Sequence, residues 1–388
     1  MLFSPDDLCV DEYIKITSKF VAPGLRGLQI INCHVVGVIS SCIIEPWEIK
    51  YLLKHCESTL EYLSIGTGIG LDEMHKVLQE PESLPLLKCL VLYYIYRLSS
   101  SDVFLSWLWK RWSHVERLEL SCLDPLPQCL VDNLPTHMPN LNIIHLNRLY
   151  MSDEKIAELL SKSRKGWKEV HMEDTYRNCM QSTHTVLMEH CPTLERLEIH
   201  SCYEFNSVRK AQILAASPNL HTFATLNSVY SSETSIFDAH SFIDQDPHTG
   251  ALKTWACESS LKTLKVRIAG APRLGSHGAS ERGVAQETYS GQGQEFQGRE
   301  IQGLVYDRLA RLTHLETLWL APPRQYRMTD ERDCLELSLE SGLRKLAGLN
   351  ELKELGIGPM RTRIGLQEIQ WMVDHWPKLR TIIGLGKN

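Results

Sequence analysis

Histidines and glutamates recur in this sequence at an interval that could bring them side by side. Glu119, His145, His171 and Glu198 stand 26, 26 and 27 residues apart; Glu169 and Glu173 flank His171, and Arg196 and His200 flank Glu198. Imidazole and carboxylate groups in a row could respond to pH near neutrality, pair with a charged partner, or ligate a divalent ion. A metal needs ligand atoms converging at fixed distances and angles, and adjacent His and Glu do not set these by themselves. Other chemistries lack their residue patterns. There is no H-E-x-x-H and no G-x-S-x-G, and the terminal Gly384-Leu385-Gly386-Lys387 lacks the length and the following helix of a phosphate loop. None of the 12 cysteines sits in a C-x-x-C pair. No catalytic residue, metal or cofactor is therefore expected, and the chain reads as a non-enzyme.

What sets the interval is a repeat. Residues 191–202 read Cys-Pro-Thr-Leu-Glu-Arg-Leu-Glu-Ile-His-Ser-Cys, and their L-x-x-L-x-L frame recurs from Leu25, Leu60, Leu87, Val115, Leu141, Trp167, Leu194, Leu220, Leu261, Leu315, Leu352 and Leu379. From Leu60 to Leu220 the steps are 27, 28, 26, 26, 27 and 26 residues. Pro85, Pro139, Pro192, Pro218 and Pro377 each stand two residues before a frame. The L-x-L core alternates with period two, so its leucines share one face of a short strand and the residue between them faces out. Helical patterns follow. Ser152 can cap a helix carrying Ile156, Leu159 and Leu160, and Leu366, Ile369, Met372 and Val373 form a later stripe. The prolines end each helix and return the chain to the next strand.

Strand, turn, helix and proline at this period predict an α/β fold: a right-handed solenoid of about 12 repeats, parallel strands lining a concave face and helices on the convex one. All 388 residues then form a single solenoid. The steps after Leu220, Leu261 and Leu315 lengthen to 41, 54 and 37 residues. Extra residues fall around Ser228–Thr249, at Gly270–Gly303 and at Pro322–Thr329; the second, rich in Gly, Gln, Ser, Glu and Arg, is expected to be a disordered insertion.

The frame C-P-x-L-x-x-L-x-L-x-x-C at 191–202, with Ser152-Asp153 following a strand, resembles the cysteine-containing leucine-rich repeat of F-box/leucine-rich-repeat proteins. The irregular copies are similar to the large fungal set of these. The full Cys-Pro-to-Cys form occurs once, and Cys33 fills the terminal Cys position in the first copy. The resemblance implies the substrate-recognition part of a cullin-based ubiquitin ligase. No F-box is legible: the start lacks a Leu-Pro-x-Glu-like opening and a Cys-Arg-x-Trp-like end, so a cullin adaptor is expected as partner only if an F-box lies upstream of Met1. The alternative is a leucine-rich-repeat regulator or inhibitor of a GTPase or other enzyme, resembling ribonuclease-inhibitor-like solenoids, whose repeats run more evenly.

Two surfaces are candidates for a protein partner. On the concave face stand Tyr62, Tyr93, Glu119, His145, Glu169, His171, Glu173, Arg196, Glu198 and His200; the plainer alternative for the polar row is a solvated ladder of pairable groups. On a C-terminal rim, Lys265, Arg267, Arg273, Arg324, Arg327, Arg361 and Arg363 surround Trp319, an arrangement suited to an acidic or phosphorylated segment. Trp107, Trp109 and Trp112 are expected to pack in the helical layer, and Cys33, Cys191 and Cys202 to fill small buried slots. Net charge is −6, and residues 261–388 hold 19 Lys+Arg against 15 Asp+Glu, leaving −10 on residues 1–260. That balance offers no dense basic stripe for nucleic acid. Without a sequon, a signal-like start or an unbroken apolar span, the chain reads as cytoplasmic or nuclear, with reduced thiols and no membrane contact.

Overall fold

Five of the prolines place their effect in the turn that enters each strand. In the computed structural model, Leu87 N–H donates to Leu84 O at 3.1 Å, and the same i+3 to i bond closes 138–141, 191–194, 217–220 and 376–379, each with proline in the second position. A fixed φ suits proline to that site. Copies without proline use the same bond, as Val115 to Trp112 at 3.1 Å and Leu352 to Leu349 at 3.1 Å show. The structure describes residues 26–31, 53–66, 84–93, 112–122, 128–149, 151–175, 180–200, 202, 205–226, 236–271, 291–321, 335–357 and 364–384. They belong to two compact units, residues 1–176 and 177–388.

In the first unit, six strands pair in parallel and in chain order: β1 (Gly27–Ile31), β2 (Tyr62–Gly66), β3 (Cys89–Tyr93), β4 (Arg117–Ser121), β5 (Ile143–Asn147) and β6 (Glu169–Glu173). Every strand begins two residues into its frame. The register aligns Leu63, Leu90, Leu118, Ile144 and Val170, and all five are fully buried. Each such side chain contributes about 2 kcal/mol of burial, so a one-residue slip would expose the whole row. Cys122, Arg148 and Asp174, the residues leaving β4, β5 and β6, adopt φ of 53°, 51° and 49°. That left-handed turn costs a non-glycine residue about 1–2 kcal/mol. Bonds from Cys122 N–H to Asn147 O at 2.9 Å and from Arg148 N–H to Glu173 O at 2.7 Å offset it. Helices α1 (Gln128–His137) and α2 (Asp153–Ser161) follow β4 and β5. Ser152 caps α2 as expected, accepting from Lys155 N–H at 3.4 Å, and Ile156, Leu159 and Leu160 are buried.

In the second unit, β7 (Arg196–His200), β8 (Thr222–Ala224), β10 (Thr263–Lys265), β12 (Thr317–Trp319), β13 (Glu354–Gly356) and β14 (Thr381–Ile383) pair in parallel in that order. Leu197, Phe223, Leu264, Leu318 and Leu355 form its fully buried row. Helices α3 (Gln181–His190) and α4 (Ser207–Ala216) complete regular repeats; Asn206 caps α4 by accepting from Arg209 N–H at 3.0 Å.

The lengthened steps hold structure that the sequence did not show. The first contains β9 (Ile236–Asp238) and the short helix α5 (Ala239–Ile243); β9 pairs in parallel with β11 (Arg267–Ala269) as a separate two-stranded sheet. Three-residue strands are too short to carry a readable alternation. Phe237, Phe242 and Trp255 pack edge to face at 5.1 Å and 5.1 Å in a small satellite core. The second contains α6 (Gly291–Ala310), which corrects the expected disorder of residues 270–303: residues 291–303 are helical, and 272–290 lie outside the described residues. Val305, Tyr306 and Leu309 anchor α6 with no exposed surface. The Gly- and Gln-rich first half has no apolar period from which a helix could be read.

Arg308 ties α6 to the first lengthened step. Its guanidinium is fully buried, lies 4.5 Å over the Trp255 ring, and donates to Ile243 O at 2.6 Å, to Glu258 Oε1 at 2.9 Å and to Lys253 O. A 3-10 turn (Leu343–Gly348) and α7 (Leu366–His375) end the unit. The stripe expected on α7 is corrected. Met372 is buried, but Leu366, Ile369 and Val373 are exposed, because the helix turns Met372 and Trp376 inward and Trp376 Nε1–H donates to Leu346 O at 2.9 Å.

Candidate functional site

The leucine rows hold the outward positions in register. In the first unit, pairing aligns Ser64, Val91, Glu119, His145 and His171 across β2 to β6. Ser64 and Val91 are buried, whereas Glu119, His145 and His171 are half-buried, so the polar part of the row begins at β4.

That part is a connected network. Arg117, two residues before Glu119 on β4, donates from Nε to Glu119 Oε1 at 2.8 Å and sets Nη2 3.3 Å from His145 Nδ1. On the other side of the ring, His145 Nε2 lies 2.8 Å from Glu169 Oε1. A neutral imidazole carrying its proton on Nε2 satisfies both contacts, accepting from Arg117 and donating to Glu169. Protonation of Nδ1 would turn the Arg117 contact into a repulsion between two donors and strengthen attraction to Glu119 Oε1, 3.6 Å away. The His171 ring stacks on His145 at 5.0 Å and 29°, and its Nε2 lies 3.8 Å from Glu173 Oε2. Beside the network, Asn147 Nδ2 donates to Ser121 Oγ at 3.2 Å. Burial, reinforced by the Glu119 charge, pushes the Cys89 thiol up to about 11. Burial would lower the Arg117 pKa, but the charge and hydrogen bond of Glu119 outweigh it and leave it raised. This guanidinium is a permanent cation.

Arg117 was missing from the sequence-level candidates, and a signal for it exists. Arg117-Leu118-Glu119 and Arg196-Leu197-Glu198 are the same R-L-E triplet at the same strand positions. In the second unit the second triplet behaves likewise: Arg196 Nη2 donates to Glu198 Oε1 at 2.6 Å, and His200 Nε2 lies 3.4 Å from Glu198 Oε2. His200 is buried instead of presented on the surface. Tyr62 and Tyr93, expected as exposed anchors, are half-buried. The Tyr62 phenol is raised by burial and bonded to Ser64.

The rim looks different from the expectation. Arg273, Arg324, Arg327, Arg361 and Arg363 lie outside the described residues, as do Cys33, Trp107 and Trp109; Trp112, Cys191 and Cys202 are buried as expected. Arg267 sits on β11 in the separate two-stranded sheet. Trp319 does occupy the outward position beside Lys265 and Gly356, but as an anchor it is corrected, because only 8% of it is exposed. Lys265 Nζ covers one face of the ring at 4.2 Å from its centroid. The indole donates to Glu354 Oε1 at 2.5 Å. The ring also lies so close to Gly356 that a Cβ there would meet Trp319 Cγ at 2.6 Å.

Among the described residues no helix is long and apolar enough to cross a membrane. No family model matches the chain, and no curated protein matches it. One solved structure, described as the crystal structure of a Rad7 and Elc1 complex in yeast, is similar over 98% of this chain and 84% of its own, at 14% identity and a TM-score of 0.44. The fold rests on the chain's own geometry: in each unit six frames open parallel strands, each in register with the next, which is the arrangement of a leucine-rich-repeat solenoid.

Proposed function

We propose that this chain works by binding and catalyses no reaction of its own, reading a protein partner with the outward face of β4, β5 and β6. One observation carries the reading: Arg117, Glu119, His145 and Glu169 are joined by contacts of 2.8, 3.3 and 2.8 Å before any partner arrives. Side chains already held in one geometry lose little further freedom on binding, which favours affinity and specificity. The surface presents carboxylate, imidazole and guanidinium groups together, so it can hold a charged partner segment through charge-assisted hydrogen bonds. The resemblance of residues 191–202 to the repeats of F-box proteins supports a narrower role, the substrate-recognition part of a cullin-based ubiquitin ligase.

The test is capture of partners by the tagged chain, beside a variant carrying Glu169→Lys and Glu173→Lys whose circular dichroism matches wild type. A partner retained by wild type, released by salt and lost by the variant supports the reading. A cullin adaptor among the retained proteins supports the ubiquitin role, whereas a GTPase or hydrolase points to the regulator alternative. If the folded variant keeps every partner, the outward face is not the recognition surface.

A further inference from the structure

Arg267 is a cation without a counter-charge among the described residues. Its Nε is shut off from solvent and meets no acceptor, and its Nη nitrogens, also without one, reach the surface. A buried polar group is normally bonded, and a charge left unpaired costs more than a neutral group. Lys265, two residues earlier, is in the same position. Its Nζ lies 4.2 Å over the Trp319 ring, a contact that holds the ammonium in place without neutralising it, and no carboxylate among the described residues pairs with it. The two cations share a face. From β10 the chain runs through Val266 into β11; Leu264, Val266 and Ile268 are buried, whereas Lys265 and Arg267 are half-buried. That alternation turns both charged side chains to the outer side.

The carboxylates of the surrounding elements are engaged elsewhere. Asp238, opposite Ala269 in the two-stranded sheet, caps α5 by accepting from Ser241 N–H at 3.1 Å. Glu354 accepts from the Trp319 indole at 2.5 Å, Glu316 holds Lys353 at 2.5 Å, and Glu258 holds Arg308 at 2.9 Å.

We propose that Lys265 and Arg267 form a binding site for a phosphate group. Outward side chains two residues apart on a strand stand about 6.6–6.8 Å apart, a gap that an anion bridges with one bond of about 2.8 Å on each side. The planar guanidinium takes two phosphate oxygens as a fork, and the ammonium takes a third. The charge of a phosphomonoester at neutral pH, about −1.5 to −2, answers both cations. A carboxylate brings a single charge and two oxygens, and it leaves one cation unanswered. Inorganic phosphate and a phosphorylated side chain present the same group. The site lies within the second unit and does not rest on the reading of β4 to β6.

The experiment titrates the full chain by calorimetry with inorganic phosphate and, separately, with N-acetyl-phosphoserine amide; N-acetyl-aspartate amide is the carboxylate control. The expected result is saturable binding of a phosphate ligand and none of the capped aspartate. Tighter binding of the capped phosphoserine assigns the site to a modified protein partner, and binding of inorganic phosphate alone assigns it to the free ion. Lys265→Met and Arg267→Met should each weaken binding by about tenfold or more, while Lys265→Arg, which keeps the charge, should retain it. Arg267→Met removes a cation that has no partner, so it should unfold at no lower temperature than wild type, which separates loss of binding from loss of fold. No saturation by either phosphate ligand, equal binding of the capped aspartate, or unchanged affinity in the folded Arg267→Met variant would each overturn the proposal.

Discussion

Replacing Gly356 by alanine is a sharp perturbation because the space a methyl group would need is already filled. The new Cβ would meet Trp319 at 2.6 Å from Cγ, 2.7 Å from Cδ1 and 3.0 Å from Cδ2, so the ring must move off the glycine. Moving it separates Lys265 Nζ from a ring it now covers at 4.2 Å, a contact worth about 0.5–1 kcal/mol. It also strains the bond from the indole to Glu354 at 2.5 Å; a hydrogen bond to a charged group contributes about 1.5–3 kcal/mol. Partial loss of both, together with the usual cost of overpacking, gives a destabilisation of about 2–3 kcal/mol. Urea unfolding followed by circular dichroism measures it, and a double-mutant cycle isolates its cause. In a Trp319→Val background the clash is gone, and Gly356→Ala should be neutral or stabilising by about 0.5 kcal/mol, as expected for alanine in a strand. A harmless Gly356→Ala in the wild type, or an equal cost in both backgrounds, would refute the account of this face.

Three further outcomes follow from buried groups. Arg308→Met should destabilise the second unit by about 3–5 kcal/mol in the same unfolding assay, because it leaves Glu258 and two or more carbonyls without their buried cation; a loss too small to resolve would contradict the clamp described above. Lys210 is buried in α4 and donates to Ile236 O at 2.6 Å, and burial lowers its pKa from 10.5 to about 7. The unfolded chain then binds the proton more tightly, so stability should rise with pH between about 7 and 10.5, by at most about 1.4 kcal/mol per unit, and level off below that window. Lys210→Met should lose that slope, and equal slopes in the two proteins would contradict it. Burial pushes the Cys257 thiol up to about 12 and raises Cys191 as well; alkylation mapped by mass spectrometry should therefore reach both only after denaturant is added, and rapid labelling of the native chain would count against it.

The repeat was legible because its signal is local and periodic. A two-residue alternation inside a frame of about 26 residues fixes which side of each strand is apolar, and the register pairs from Leu63 to Val170 and from Leu197 to Leu355 follow from it. The same alternation brought out Glu119, His145 and His171. It could not show that His200 and Trp319 are buried at positions that point outward, since their cover comes from neighbours on adjacent strands and turns. Trp319 lost its place as an anchor to Lys265 and Gly356, residues 54 and 37 positions away in the chain. Periodicity also misled at α7, where an amphipathic stripe was read as core. The pattern shows that one flank of a helix is apolar, but not whether anything packs on it.

The central claim is that a partner sits on the outward face of β4 to β6. The measurement closest to it places a photo-cross-linking residue at position 171, beside the stacked His145 ring, and a second one at Glu158 on α2. Both chains are exposed to the captured partner, and the adducts are read by mass spectrometry. The account predicts efficient linkage from position 171 and none above background from position 158. Linkage from position 158 alone would put the partner on the helical side and contradict it.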